Sequence, residues 1–71
     1  RELDTCGLAC PMPLLKAKQA LNAMASGERL QVTATDQGSW RDFKVFADHS
    51  GHKLIERQEV DGIYRYLLEK K

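Results

Sequence analysis

From Leu30 to Thr35 the chain alternates apolar and polar residues one for one, with Leu30, Val32 and Ala34 on one face and Gln31, Thr33 and Thr35 on the other. A period of two is a β-strand with one buried and one wet face, and the segment ERLQVTATD places it over residues 28–36. A strand covered on both sides reads instead as a near-continuous apolar run. Any helices are therefore expected on a single side of the sheet, leaving the other side to solvent or a partner.

The remaining segments fit that constraint. ELDT, residues 2–5, puts Leu3 and Thr5 on one face of a short first strand that Gly7 interrupts. From Pro11 to Ser26 the spacing changes to three and four. Leu14, Ala17, Leu21, Met24 and Ala25 make one stripe, Lys16, Gln19 and Asn22 face away, and Gly27 is expected to end the helix. Ser39 with Asp42 three residues on has the form of a capping box opening a second helix, whose stripe is Trp40, Phe43, Phe46 and Ala47 and whose end is Gly51. Residues 53–60 and 63–70 flank Asp61-Gly62, a dipeptide suited to a two-residue hairpin because both positions tolerate positive φ. The order βαβαββ predicts a two-layer α/β sandwich, a four-stranded mixed sheet with two helices on one face, and residues 1–71 read as a single domain.

A chain of 71 residues has a thin core, and small secreted domains compensate with several disulfides. Here the two cysteines, Cys6 and Cys10, lie within one short stretch, where a bridge would staple nothing distant. Their placement points to a reducing, cytoplasmic setting and to chemistry in place of scaffolding. Eleven basic and ten acidic residues give a net charge of +1 with no basic stripe, so direct nucleic-acid binding is not expected. No apolar run approaches the roughly 20 residues that cross a bilayer, and no signal-peptide pattern is visible. The opening on Arg1 in place of Met is compatible with a leader or a neighbouring domain upstream.

Chemistry concentrates in CGLACPMPLLKAK, residues 6–18. Proline is favoured in the first turn of a helix, where its fixed φ fits and its missing N–H would be unpaired anyway. Pro11 and Pro13 therefore stiffen the segment leading out of Cys10, which falls at or next to the N-cap. Unpaired N–H groups and the positive end of the helix dipole converge there and are expected to lower the thiol pKa. Cysteine is a poor N-cap beside Ser, Thr, Asp or Asn, so its choice at this position favours a reactive role. Cys6, at a strand end, is expected to pack as a small apolar residue or to serve as a resolving thiol.

Cys10-Pro11-Met12-Pro13 has the CPxP form of the TusA/SirA-like family of sulfur-carrier proteins, and LDTCGLACPMPLLKAK resembles the opening of that family. Gly27-Glu28, Asp36, Arg41-Asp42, Gly51-His52-Lys53-Leu54 and the final hairpin ending in Tyr66 fall where the family carries similar residues. The resemblance implies a two-layer sandwich and a sulfurtransferase role in a persulfide relay without a cofactor. Cys10 would bear the persulfide inside a frame made by Pro11 and Pro13. It further implies a cysteine desulfurase or rhodanese-type donor and an acceptor protein, with the sulfur bound for tRNA thiolation or other sulfur metabolism. Gln37, where many members have proline, and Phe43-Lys44, in place of a common Ile-Pro, depart from the pattern and bear on which partner docks.

Lys16, Lys18 and Arg41 could flank the cysteine end and hold an acidic partner or a thiolate. His49 and His52 lack the further ligands of a zinc site, so no metal is expected, and Trp40 is read as core packing. A different class of function fits the same residues: a redox or regulatory module switching Cys6 and Cys10 between dithiol and disulfide. The C-x3-C spacing is not the C-x-x-C of thioredoxin-like sites.

Overall fold

The computed structural model describes residues 1–71. Strands β1 (Glu2–Thr5), β2 (Arg29–Ala34), β3 (Lys53–Val60) and β4 (Ile63–Glu69) form one sheet in the order β1-β2-β4-β3. Helix α1 (Met12–Asn22) connects β1 to its parallel neighbour β2, and α2 (Ser39–Ser50) leads from β2 to β3. β4 returns between β2 and β3, antiparallel to both. The sheet is therefore mixed, as the element order predicts.

Both helices lie on the face that Leu30, Val32 and Ala34 of β2 present. Tyr66 and Leu68 of β4 lie opposite Val32 and Leu30, so central strands β2 and β4 bury one continuous surface beneath Ala17, Leu21 and Phe43. Burying a side chain the size of Leu or Val stabilises the fold by about 1.5–3 kcal/mol. The Phe43 and Tyr66 rings stack at 4.3 Å between centroids and 2° between planes, which locks α2 onto β4. The opposite face of β2 carries exposed Arg29 and Gln31 and half-buried Thr33. On edge strand β3 a bulge at Ile55 brings Leu54 and Arg57, three apart, opposite Leu68 and Tyr66.

Several local expectations give way to tertiary contacts. Helix α1 stops at Asn22, four residues short of Ser26, and the Ala23 and Met24 amides bond the Ala20 and Leu21 carbonyls in a tightened last turn. The Lys70 ammonium caps the Leu21 carbonyl at 2.8 Å. Gly27 donates to the Lys70 carbonyl and Lys70 to the Glu28 carbonyl, so residues 27 and 28 are drawn towards the end of β4. Gly27 consequently turns the chain and caps nothing, while Ala25 is exposed. Met24 still reaches the core.

The capping box also does not form. Gly38 is the N-cap of α2, and Ser39 turns inward, bonding Tyr66 Oη and donating to the Asp36 carbonyl, both at 2.7 Å. Asp42 is left free of a capping duty. Trp40 is half-buried against the core, with the Arg57 guanidinium 4.1 Å over its ring. The C-terminus of α2 at Gly51 and the Asp61-Gly62 hairpin, with φ of 52° and 80°, match expectation.

Candidate functional site

Parallel strands β1 and β2 end side by side at Thr5 and Ala34, and helices α1 and α2 begin at that same end of the sheet. The loop between β1 and α1 is tied down there. Thr5 Oγ1 donates to the Thr33 carbonyl at 2.7 Å, Gly7 N–H donates to Thr35 Oγ1 at 2.9 Å, and Cys6 N–H donates to Asp4 Oδ1 at 2.9 Å. Met12 N–H closes the loop onto the Ala9 carbonyl at 2.9 Å.

Pro11 is the N-cap of α1 and Pro13 follows at the second helical position. The two prolines divide the work. Pro11 is exposed beside the thiol, whereas Pro13 is buried and anchors the first turn to the core. Cys10, immediately before the cap, is exposed as a free thiol.

Two carboxylates face it. The Cys10 Sγ–H donates to Asp42 Oδ2 at 2.8 Å across 32 residues of chain. On the other side, Gly38 brings backbone against the sulfur, since a Cβ built there would lie 4.0 Å from Cys10 Sγ and 3.0 Å from Asp36 Oδ2. That Asp36 oxygen is buried without a hydrogen-bond partner. No basic side chain lies within ion-pair range of Asp36 or Asp42, because the only ion pairs are Arg29–Glu69 and Lys44–Asp48.

The electrostatics therefore run opposite to the expected direction. The hydrogen bond to Asp42 pushes the Cys10 thiol above its ordinary range, with desolvation and the charges of Asp42 and Asp36 adding to it. At the start of α1 Pro13 lacks an amide donor and the Met12 amide is taken by the Ala9 carbonyl. Cys6 is likewise a free and exposed thiol, which does not fit the packing role that was one of the two expected of it, and the side chain of Asp4 beside it raises it too.

The remaining candidates lie around this centre without joining it. Lys16 and Arg41 are exposed and enter no ion pair. Arg41 and Lys18 line a shallow groove between the helices with Leu14, Asp42, Val45 and Phe46. Lys18 holds its ammonium 5.5 Å from the Phe46 ring centre. His52 Nδ1 accepts the Lys71 amide at 3.1 Å and its ring packs on Phe46, while no group of three His, Cys, Asp or Glu side chains is arranged for a metal. Sequence reasoning missed Asp42 as the partner of the thiol, because only the fold brings position 42 to position 10.

The model of a family described as sulfurtransferase TusA matches residues 1–70. The chain belongs to the TusA family. Its sequence is 50% identical over 70 residues to the sulfur carrier protein TusA of Allochromatium vinosum, covering 99% of this chain and 92% of that one. It is 39% identical over 69 residues to the sulfur carrier protein TusA of Pseudomonas putida, covering 97% and 86%. The crystal structure of a SirA-like protein from Desulfitobacterium hafniense superposes with a TM-score of 0.83 at 26% identity, over 96% of this chain and 93% of that one. The residues expected to depart from the family pattern are accommodated locally. Phe43 fills the core, Lys44 pairs with Asp48 at 2.7 Å, and Gln37 is exposed.

Proposed function

We propose that the chain is a sulfur carrier that accepts sulfane sulfur as a persulfide on Cys10 and relays it to an acceptor protein. The observation that carries this reading is the exposed Cys10 thiol, fixed by Pro11 and the buried Pro13 at the end of the sheet where both helices begin. Membership of a sulfurtransferase family and likeness to named sulfur carriers support it. The donor is a persulfide-bearing protein of the cysteine desulfurase or rhodanese type, and the acceptor is a further sulfur-transfer protein. The chain acts as a sulfurtransferase in the sense of a relay, each cycle returning Cys10 to the thiol. Two free thiols suit a reducing compartment such as the cytoplasm. No helix is long and apolar enough to cross a membrane.

Mass spectrometry of the intact protein after incubation with a cysteine desulfurase, pyridoxal phosphate and L-cysteine tests the reading. The wild type and Cys6→Ser gain the mass of one sulfur atom, which a reductant removes, and Cys10→Ser gains nothing. Loading that persists in Cys10→Ser, or that stops in Cys6→Ser alone, refutes the assignment of Cys10. No loading from any donor, combined with an internal disulfide under mild oxidation, moves the protein to the redox-module class.

A further inference from the structure

We propose that Asp42 is a positioning residue that holds Cys10 as a thiol while the carrier is empty and disfavours the persulfide once it is loaded, so that the folded protein is biased towards giving sulfur away. The inference rests on the persulfide reading and adds to it the direction in which the site leans.

The geometry supplies the first half. A thiolate is the attacking species in sulfur exchange, yet Cys10 Sγ is engaged as a donor to Asp42 Oδ2 at 2.8 Å. The groups that face it are Asp42 from α2 and Asp36 from the loop between β2 and α2. The first turn of α1 contributes no acidic residue. Neither carboxylate has a basic partner within ion-pair range. An anion on Cys10 would face both.

The chemistry supplies the second half. A persulfide donor R–S–SH transfers its outer sulfur: the donor S–S bond breaks, a new S–S bond forms at Cys10 Sγ, and the Cys10 proton leaves with the donor thiol R–SH. No net oxidation occurs. Afterwards Sγ carries sulfur in place of hydrogen, and the hydrogen bond to Asp42 has lost its donor. The outer sulfur lies about 2 Å beyond Sγ. A hydropersulfide ionises more readily than a thiol, so the loaded group presents an anion to Asp42 and to the unpartnered Asp36 oxygen. Asp42 thus stabilises the empty state and opposes the loaded one.

The test uses Asp42→Asn, which keeps the shape and removes the charge, with Asp42→Ser beside it in case the amide disturbs folding. Alkylation of Cys10 by iodoacetamide is followed against pH by peptide mapping, so that Cys6 is resolved separately. The midpoint of the Cys10 profile moves to lower pH in both variants. At neutral pH alkylation accelerates, by roughly threefold for each tenfold gain in thiolate, since the more acidic thiolate is a weaker nucleophile. With a fixed ratio of persulfide donor to its thiol, the variants also reach a higher loaded fraction than the wild type. An unchanged midpoint in folded variants, or a loaded fraction that stays level or falls, overturns the proposal. The alkylation profile needs no sulfur donor, so it reports on Asp42 even where the persulfide reading itself has failed.

Discussion

Gly38 lies between Asp36 and Cys10, where a side chain would meet both. Its φ of −65° is ordinary for any residue, so replacing it with alanine strains no backbone. The cost is one of space, because the new methyl would meet Asp36 Oδ2 at 3.0 Å and come to 4.0 Å from Cys10 Sγ. Gly38→Ala is therefore expected to shift the alkylation rate of Cys10 while changing thermal stability little, and parallel measurements of the two check this. A large loss of stability with unaltered Cys10 reactivity would show that glycine serves the fold there instead. The place of Cys10, an exposed thiol just before α1, is legible in the sequence, since proline at a helix start and cysteine at a poor capping position are local signals. Its partners are not. Asp42 falls three residues after Ser39 and looked like half of a capping box, yet Ser39 bonds Tyr66 in the interior and Asp42 turns to Cys10. Both contacts span distant parts of the chain, and no periodicity reports them.

Among the elements, the hairpin of β3 and β4 depends on its turn. Asp61 and Gly62 both have positive φ, and a Cβ on Gly62 would meet nothing within 4 Å. Gly62→Ala thus isolates the backbone term and is expected to cost about 1–2 kcal/mol, measurable as a lower urea midpoint at an unchanged slope. The strands are legible nearly in full, because β2 is central and half-buried and so alternates, and Asp61-Gly62 marks the hairpin of β3 and β4. Helix α1 ends four residues before the point its spacing predicts. Its apolar spacing continues to Met24, which is buried, but the carbonyls of its last turn are claimed by Ala23, Met24 and Lys70. Periodicity records which residues face the core, not where the hydrogen-bond ladder gives out.

At the scale of the molecule, the apolar interior is one cluster shared by both helices and the two central strands. Phe43 is fully buried in it and stacked on Tyr66. Phe43→Ala is expected to cost about 3–5 kcal/mol, a large fraction of the 5–15 kcal/mol that holds a domain together. Its equilibrium unfolding in urea should show a strongly lowered midpoint. Asp42 lies one residue earlier on α2, so this variant should also alter Cys10 reactivity wherever α2 loosens. The bulge at Ile55 has a consequence for the molecule in a crowded cell. An outer strand of eight regular residues would offer a long row of free amides and carbonyls to any other sheet. The irregularity between Leu54 and Glu56 breaks that row, and the opposite margin of the sheet is only the four residues of β1. With neither margin offering a long, flat template, copies of the protein can be abundant and collide often without zipping together.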